Sequence, residues 1–430
     1  MIFAHKIALD LTKDQERYCR QAAGTARLTY NWGLAEWQRQ YHAGGRPSAA
    51  ALKKQWNAIK YARYPWLADI HRDAHAQPFT NLQAAFAAFF QNVKDRKAGK
   101  TTRKVGYPTL KRKGVHDSFY IANDKLQIQG KRLRLPKLGW VRMREALRFA
   151  GKLMSAVVSR TADRWYVSVS VQVDPLPLTC ENQAGRCGVD LGIRHLATLS
   201  ASRTHVEGPK PLKAALTKLR RMNRELARRV KFSANWHKTK RKLERLHARI
   251  AALRADGLHK LTTHLTQTYQ EIVIEDLHVA GRVQNRKLAR AISDMGLGMF
   301  RQILTYKAAV TGTTVIVADR WFPSTRLCVC GVVHDTLTLA DRVFVCAACG
   351  YTEDRDLHAA LNLETYPRLV GNVNACGQPS AGAVPLPRET ELVEAGTKSL
   401  HTRFIHSKLW THRHCMLMRA ASVRMSYGAI

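Results

Sequence analysis

The sequence predicts an α/β protein of several domains, and three observations support that class. The chain has 430 residues, 45% of them hydrophobic, which is enough for two or three domains with cores of their own. Period-two alternation flanks a helical region in the first part of the chain, and short apolar strands alternate with helices in the second part. Two cysteine pairs between residues 328 and 349 mark a small insert in that second part.

The first part is expected to be a helical lobe set between β segments. Residues 2–10 predict a strand, and a long helix follows over about residues 13–41, until Gly44-Gly45-Arg46-Pro47 ends it. Two more helices are predicted over residues 48–60 and 79–93. The second of them contains the most apolar run of the chain. That run is a short helix core, because it is far below the roughly 18 residues of a membrane span.

A basic loop and then a β region complete the first part. Residues 94–115 are rich in Lys and Arg and are broken by glycine and proline, which predicts a solvated loop. From 117 to 174 the alternation is typical of strands, with a hairpin around the turn Gly130-Lys131. Valines at every second position of residues 167–173 predict a half-buried antiparallel strand. Residues 175–183 are expected to be a linker.

The second part alternates strands with helices. Four strands are predicted, over residues 187–191, 197–200, 271–275 and 314–319. A basic helical pair is expected between the second and third of them, over 211–254, with the apolar stripe Leu243, Leu246, Ile250 and Leu253. A short helix follows from Asp356. Beyond about Tyr366 the periodicity fades, and we expect a disordered tail.

The charge of the chain indicates a polyanionic partner. Lys and Arg number 70 against 32 Asp and Glu, which gives a formal net charge of +38. The first residues lack the apolar core of a secretory signal, so a reducing cytosol is expected, where nine cysteines serve as thiols or metal ligands. A membrane surface would want the charge on one amphipathic helix, but here it is spread along the chain. Nucleic acid is therefore the expected partner, and no membrane association is predicted.

Two groups of cations are candidates for contacting nucleic acid. The first belongs to the basic loop and the second to the helical pair, where cations surround the apolar stripe. Each single Lys or Arg could instead only solvate a surface. The candidate residues are Lys111, Arg112, Lys113, Lys238, Lys240, Arg241, Lys242 and Arg245.

Three acids stand out against this basic background. Asp190 ends a buried strand, Glu275 ends another, and Asp356 opens a helix. Taken singly they could be a turn acid, a surface residue and an acid favoured by the helix dipole. Taken together, a strand Asp, a strand Glu and a later helix Asp form the pattern of ribonuclease H-like nucleases. A buried carboxylate needs compensation, and two Mg²⁺ ions about 4 Å apart would supply it and cleave a phosphodiester.

The cysteine insert has the spacing of a zinc site. Cys346 and Cys349 form a standard knuckle, whereas Cys328 and Cys330 are one residue short of the usual spacing. In an extended strand, residues two apart share a face, so both sulfurs of the short pair could still reach a zinc ion. His334 is an alternative ligand. The competing interpretation is a degenerate ribbon that folds weakly without metal.

These motifs resemble those of the transposon-encoded TnpB (OrfB) family, which is related to the type V CRISPR effectors, over about residues 3–398. The stretch Gly188-Val189-Asp190-Leu191-Gly192 resembles the first RuvC motif of that family, Ile272–Leu277 the second, and Asp354-Arg355-Asp356 the start of the third. Ala22–Arg27 and Tyr30-Asn31-Trp32 are similar to its helical lobe.

The resemblance implies an α/β multidomain fold: a ribonuclease H-like (RuvC) nuclease domain with an inserted zinc ribbon, and an amino-terminal β-barrel-like wedge domain interrupted by a helical recognition lobe. The implied boundaries are residues 1–12 and 115–178 for the wedge, 13–114 for the lobe, 184–320 and 352–366 for the nuclease, 321–351 for the ribbon and 367–430 for the tail.

The resemblance also implies an RNA-guided DNA endonuclease. A guide RNA from the transposon end would pair with double-stranded target DNA that carries a short adjacent motif. Asp190, Glu275 and Asp356 would bind two Mg²⁺ ions, and the four cysteines would bind Zn²⁺. Asp354 competes for the third acidic role. Asp356 is favoured because the family's carboxylate precedes an x-Asn-Ala-Ala run, which here reads Leu357-His358-Ala359-Ala360.

The chain departs from the family pattern at three places, and two other functions compete. His358 and His278 stand where Asn is usual, and the first cysteine pair is short. A decayed nuclease that acts as a DNA-binding repressor or transposition regulator is the first alternative, but all three acids are present. An actin-like ATPase is the second, but the chain lacks the later Gly-rich phosphate loops. A cytoplasmic protein acting at the nucleoid is expected.

Overall fold

The computed structural model describes residues 1–101, 104–174, 184–335, 337 and 341–376. The first sheet has seven strands in the order β2-β6-β7-β1-β5-β4-β3. They are β1 (Ile2–Asp10), β2 (Ser118–Ala122), β3 (Gln127–Gln129), β4 (Arg132–Leu135), β5 (Gly139–Met143), β6 (Lys152–Thr161) and β7 (Arg164–Gln172). The predicted hairpin is confirmed: β3 and β4 pair antiparallel around Gly130. The alternation in β7 is also confirmed, because Trp165 and the following odd-numbered valines are buried.

Three helices lie in the chain between β1 and the rest of the first sheet. They are α1 (Lys13–His42), α2 (Ala49–Arg63) and α3 (Arg72–Lys97). Thr12 and Gln15 form a capping box that starts α1, and the Ser48 hydroxyl caps α2. Aromatic and leucine side chains form their shared core, with Trp56, Leu34, Leu52 and Leu82 almost fully buried. We call residues 13–97 the helical lobe.

Helix α3 differs from the prediction in two respects. It begins at Arg72, seven residues before the expected start, and it contains Pro78. Proline lacks only one backbone donor, and here burial of Pro78 and Phe79 in the lobe outweighs that loss. The apolar run at residues 84–90 was expected to be core, yet only Phe86 is buried, and Phe90 is 46% exposed.

The second sheet has five strands in the order β10-β9-β8-β11-β12. They are β8 (Ala184–Asp190), β9 (Ala197–Leu199), β10 (Thr204–Val206), β11 (Tyr269–Glu275) and β12 (Thr314–Ala318). Strands β8, β11 and β12 run parallel, and β9 and β10 add to the edge as antiparallel strands. All four strands predicted in this half of the chain are confirmed.

Helices cover both faces of the second sheet. They are α4 (Pro211–Arg228), α5 (Ala234–Thr268), α6 (Val279–Arg282), α7 (Ala289–Met295), α8 (Leu297–Thr311) and α9 (Arg355–Cys376). Val189 and Ile274 belong to the core formed with α5 and α8, whereas Val273 packs with Leu363 of α9. Because side chains alternate along a strand, residues 188, 190, 273 and 275 face α9.

The basic helical pair is confirmed as α4 and α5, but Leu253 does not belong to its buried apolar stripe. Leu243 and Ile250 are buried between the two helices, whereas Leu253 is 46% exposed. The inward face of α5 continues through Arg254, whose side chain is 12% exposed, and Leu258, which is fully buried. From Ile250 the buried face advances by four residues at each turn, to Arg254 and then Leu258, whereas the prediction took a step of three residues to Leu253.

The cysteine ribbon, which we define as residues 321–354, lies between β12 and α9. It contains the antiparallel hairpin β13 (Val343–Val345) and β14 (Thr352–Asp354). The helix predicted from Asp356 is confirmed as α9, and it continues to Cys376, past the point where the periodicity fades. The expected linker at 175–183 and the tail after residue 376 lie outside the described residues. In the part of the chain that the structure describes, none of the helices has both the length and the hydrophobicity of a membrane-spanning segment.

Candidate active site and metal centre

Two of the predicted acids end neighbouring parallel strands. Val189 pairs with Ile274, so Asp190 of β8 and Glu275 of β11 follow at the same edge of the second sheet. Both acids lie on the face that carries α9, as the strand alternation above requires. The parallel pairing of β8 with β11 therefore brings Asp190 and Glu275 to the same edge of the sheet, although 85 residues separate them in the sequence.

The third acid reaches this edge on α9, which packs closely on β8. A Cβ atom at Gly188 would lie 2.0 Å from the Ala360 carbonyl oxygen and 2.6 Å from the Glu364 nitrogen. Only glycine permits this approach. Asp356 lies in the first turn of α9, one turn before Ala360. Gly188 thus permits α9 to pack directly on β8, and although it belongs to the first motif, no signal in the sequence indicated this contact.

The charges of Glu275 and Asp356 act on Asp190. Burial raises the pKa of Asp190 to about 7, and the negative charges of Asp356 and Glu275 add to this rise. Arg355 and Arg282 oppose it. Burial also raises the pKa of Glu275, although Arg282, 3.8 Å away, lowers it. Carboxylates in such mutual repulsion favour a cation between them.

Asp354 and Asp356 have different partners, although only one residue separates them. Asp354 accepts hydrogen bonds from the backbone N–H groups of Asp356 and Leu357, each at 3.0 Å, and so caps α9. Asp356 instead pairs with Arg355, whose Nη2 lies 3.0 Å from its Oδ1. The cap holds Asp354, which leaves Asp356 as the acid that acts on Asp190.

The acid after Glu275 is held away from this site. Asp276 accepts hydrogen bonds from Arg301 at 2.5 Å and Arg320 at 2.7 Å. These two guanidinium groups lower the pKa of Asp276. Asp276 therefore pairs with two guanidinium groups at hydrogen-bond distance, whereas Glu275 has a single guanidinium partner among the described residues, at 3.8 Å.

The four predicted cysteines form a compact cluster. The Sγ atoms of Cys328, Cys330, Cys346 and Cys349 all lie within 4.8 Å of one another, and within the described ranges no other group of three or more His, Cys, Asp or Glu meets that limit. The Cys328–Cys349 and Cys330–Cys346 sulfur pairs are 3.5 and 3.7 Å apart. Tetrahedral zinc with Zn–S bonds of about 2.3 Å requires sulfurs about 3.8 Å apart. The cluster is therefore a possible zinc site.

The short cysteine pair reaches the cluster by a turn, so the prediction of an extended strand is wrong. The Gly331 N–H donates to the Cys328 carbonyl at 2.9 Å, and the Cys328 N–H donates to Val332 at 2.8 Å. Gly331 takes a φ of 88°, and Gly350, which follows the second pair, takes 73°. A glycine after each pair permits the left-handed turn, which is the sequence signal that was missed.

His334 contacts the cluster, with its Nε2 3.1 Å from the sulfur of Cys346. The four sulfurs form the group without it, so His334 supports a ligand and does not replace one.

The ribbon is joined to α9 through His358, which stands where the family usually has Asn. The His358 ring stacks on Phe344 of the ribbon at 3.9 Å and is fully buried. The Asn362 amide nitrogen donates to the carbonyls of Ser324 and Leu327 at 2.7 Å each, and the His358 Nε2 lies 3.1 Å from that nitrogen. His358 therefore packs the ribbon against the helix that carries Asp356.

The cations of α5 proposed for nucleic acid are exposed, but two of them have acidic partners: Lys240 lies 3.8 Å from Glu244, and Arg245 pairs with Asp163. Lys238, Arg241 and Lys242 are exposed at the start of the helix. Arg245 is bound to Asp163, in the turn between β6 and β7, with its Nε 2.8 Å from the carboxylate. That pair fixes α5 to the first sheet, so Arg245 has a structural partner.

The basic loop rests on α1 through residues of the family motif. Asn31 exchanges hydrogen bonds with the backbone of Lys111 at 2.8 and 2.9 Å, and the Lys111 ammonium lies 3.9 Å from the centre of the Tyr30 ring. Arg27 pairs with Asp117 at 2.9 Å. Lys111, Arg112 and Lys113 are exposed on this support, and the sequence had not indicated what holds them.

Comparison with known proteins gives three matching family descriptions. Residues 166–286 match OrfB_IS605, described as "Probable transposase". Residues 298–363 match "Cas12f1-like, TNB domain", which covers α8, the ribbon and the start of α9. Residues 1–46 match a "Helix-turn-helix domain", and in this structure they form β1 and α1.

Curated relatives match most of the chain. "Putative RNA-guided DNA endonuclease InsQ" of Escherichia coli is 32% identical over 91% of this chain and 98% of its own length. A protein of Streptomyces pristinaespiralis with the same description is 34% identical over 82% of this chain and 86% of its own.

Among solved structures, the Cas12f1–sgRNA–target DNA complex matches with a TM-score of 0.50 at 13% identity. The match covers 82% of this chain and 83% of that one, and it shows that the mixed α/β fold is shared. Sequence identity of 32% over 98% of the length of InsQ shows membership of the same family, in addition to a shared fold. The chain therefore belongs to the TnpB (OrfB) family of transposon-encoded RNA-guided DNA endonucleases.

Proposed function

We propose that this protein is an RNA-guided DNA endonuclease that cuts target DNA at the carboxylate site (Asp190, Glu275 and Asp356). The proposal rests on the convergence of β8, β11 and α9 at one edge of the second sheet, where the charges of Glu275 and Asp356 raise the pKa of Asp190. The oxygens of these three acids do not meet the 4.8 Å limit that the four sulfurs meet. The relatives named as RNA-guided DNA endonucleases support it, as does the net charge of +38. A strand Asp, a strand Glu and a helix Asp in this arrangement support a RuvC-like nuclease domain.

The donor set of the carboxylate site fits Mg²⁺. Its three groups are carboxylates, the oxygen ligands that this hard cation prefers. Their mutual repulsion, seen in the raised pKa of Asp190, is relieved by a divalent cation. Bound magnesium would activate water and stabilise the leaving oxygen of the phosphodiester. In the protein itself, β8 and β11 fix two acids, and Gly188 lets α9 bring the third.

Zinc is proposed as a structural ion held by the four cysteines. All four ligand positions of a tetrahedral site are then filled by the protein, as in structural zinc sites. Because the His358 ring stacks on Phe344, an ordered ribbon holds the first turns of α9 in position. We infer that zinc supports cleavage indirectly, because it holds the start of the helix on which Asp356 lies.

The remaining assignments extend this proposal. The first sheet corresponds to the wedge domain over residues 1–12 and 115–178, and the helical lobe corresponds to the recognition lobe. We propose that they bind guide RNA transcribed from the transposon end and read a short motif beside the DNA target. The second sheet and its helices form the nuclease domain, with the ribbon inserted before α9.

Reconstitution tests the function directly. The RNA that co-purifies with the full chain is sequenced, and the complex is then given matched duplex DNA and Mg²⁺. We expect a discrete RNA that ends at a transposon boundary, and cleavage that Asp190→Ala abolishes while RNA binding is retained. Asp276→Asn is the matched control and should still cut.

Three outcomes would contradict the proposal. Cleavage that persists in Asp190→Ala would reject the assignment of the site. Protection of target DNA by the wild-type complex without strand scission would instead support a binding protein with a decayed nuclease. Hydrolysis of nucleotide in the absence of nucleic acid would support an ATPase.

A further inference from the structure

The tip of the α4–α5 hairpin carries an exposed aromatic cluster. Phe232 is 67% exposed, and its ring lies 5.4 Å from that of Trp236 and 6.4 Å from that of His237. The Trp236 and His237 rings are 5.0 Å apart and nearly perpendicular. We call residues 229–242 the hairpin tip. Exposed apolar side chains that lie together on a surface mark interaction sites more often than single ones do, so this cluster is a candidate binding site.

The backbone presents Phe232 outward at a conformational cost. Its φ is +69°, in the left-handed region that bulky residues rarely adopt. The turn is closed by the Ser233 N–H, which donates to Val230 at 3.1 Å, and the Ser233 hydroxyl caps α5 through the Trp236 N–H. A rigid turn and a capped helix thus hold the rings in place before any partner arrives.

The charge around these rings selects the partner. Residues 229–242 contain six Lys or Arg and no Asp or Glu, and two of these cations have acidic partners next to the tip: Arg229 pairs with Glu225 and Lys240 with Glu244. The Lys231 ammonium lies 5.2 Å from the centre of the Phe232 ring, and Lys240 lies 5.0 Å from that of Trp236. Each ammonium lies over a ring face, so a base that stacks on that face would take the place of the ammonium, which would then be free to pair with the phosphate of the nucleotide. Aromatic faces bordered by cations fit unpaired nucleotides, and they do not fit a protein surface without negative charge.

The position of the tip favours RNA over the DNA strand that is cut. Trp236 precedes Leu258 by 22 residues on one continuous helix, a distance of about 33 Å at 1.5 Å per residue. Leu258 is buried against the second sheet, whose edge holds the acids. A strand undergoing cleavage must lie at that edge, whereas loops of a guide RNA can extend far from it. RNA is also read chiefly through unpaired bases stacked on aromatic rings.

We propose that the rings of Phe232 and Trp236 form a stacking site for unpaired bases in a loop of the guide RNA, with the surrounding lysines on its phosphates. The source of this RNA rests on the proposed function, but the stacking itself does not.

The test uses the full chain and three labelled probes: an RNA hairpin with a loop of unpaired uridines, a blunt RNA duplex with the same number of phosphates, and a DNA single strand of the loop sequence. Phe232→Asn with Trp236→Leu removes both rings, and asparagine tolerates the left-handed backbone. Phe232→Tyr with Trp236→Phe keeps rings. Val230→Ala removes an apolar side chain that is 78% exposed in the same loop.

We expect the ringless variant to bind the hairpin at least about tenfold more weakly, since each stacked base contributes about 1–3 kcal/mol. Its affinity for the duplex should stay within about twofold, and the salt dependence of binding should not change, because stacking releases no counterions. The ring-keeping variant and Val230→Ala should match the wild type. Uridines replaced by 5-iodouridine should photocrosslink to residues 232–237 of the wild-type protein.

Equal losses on hairpin and duplex, or no loss on the hairpin, would overturn the proposal. A larger loss on the DNA strand than on RNA would mean that displaced DNA is the occupant. If the ringless variant unfolds, the crosslink on wild-type protein decides the question. Wild-type protein that binds the hairpin but never cuts guided DNA would refute the nuclease alone. A ringless variant that binds and cuts like the wild type would refute the stacking site alone.

Discussion

The four cysteines of the ribbon lie between residues 328 and 349, whereas the three acids of the carboxylate site are spread between residues 190 and 356. Two glycine turns and one hairpin bring the sulfurs within 4.8 Å of one another. The acids meet only after a parallel sheet has formed and a helix has packed across it. One site is thus made by local turns and the other by the tertiary fold.

This difference determines what each site contributes to stability. A cysteine cluster that binds zinc gains the free energy of coordination when it folds. The carboxylate site instead costs stability without its cation, because it holds like charges together, as the raised pKa of Asp190 indicates. The ribbon should therefore depend on its metal to fold, while the nuclease sheet should fold despite its acids.

Removing zinc from the ribbon should have the largest effect. Cys349→Ser should abolish stoichiometric zinc, since it forfeits a coordination free energy on the order of 10 kcal/mol, and residues 321–354 should become sensitive to protease. Guided cleavage should fall at least about a hundredfold, because α9 loses its support from the ribbon. Metal analysis and limited proteolysis measure these changes.

Cys19→Ala, at a buried thiol of α1, is the control. If Cys349→Ser kept its full zinc content, the ribbon would not depend on all four cysteines to bind its metal, and the contrast with the carboxylate site would fail.

Gly188→Ala should disturb the carboxylate site through its fold. The added methyl group would meet backbone atoms of α9 rather than a flexible side chain, so we expect a loss of unfolding free energy of about 3 kcal/mol. Denaturant unfolding measures it. Gly185→Ala, in the same strand with nothing within 4 Å of its Cβ position, should be nearly neutral. Equal stability of the two variants would mean that α9 does not require close contact with β8.

Titration should reveal the repulsion among the acids. Asp190 keeps its proton in the folded protein up to about pH 7, whereas an unfolded aspartate releases it near pH 3.8. Its contribution to the stability of the metal-free protein is therefore present at low pH and is lost as pH rises from about 4 to 7. The unfolding free energy of wild type relative to Asp190→Asn should fall by roughly 1.4 kcal/mol per pH unit within that window.

Asp356→Asn removes one of the charges that raise this pKa, so the same loss should end at lower pH in that background. Asp276→Asn serves as the control, and in that background the loss of stability should still extend from about pH 4 to pH 7. A stability difference that rises with pH would contradict the linkage.

The sequence predicted most strands and helices, because alternation and helical periodicity are local signals. It also predicted Asp190, Glu275 and Asp356 as a set, because a strand Asp, a strand Glu and a later helix Asp in that order resemble the motifs of ribonuclease H-like nucleases. It could not predict the backbone contact at Gly188, the pairing of Arg245 with Asp163 or the support of Lys111 by Asn31. Each of these joins segments far apart in the chain, and no local pattern encodes such contacts.

Asp354→Ala should have the smallest effect, and it acts where the ribbon joins the carboxylate site. This residue ends β14 and caps α9 through two backbone N–H groups, so its loss should cost about 1 kcal/mol of unfolding free energy. Cleavage should fall only severalfold, with the Mg²⁺ dependence unchanged, because a cap positions the helix and binds no metal. Asp356→Ala should abolish cleavage at a similar stability. If Asp354→Ala were the inactive variant and Asp356→Ala still cut, the two acids would have to exchange roles, and the carboxylate site would extend into the ribbon.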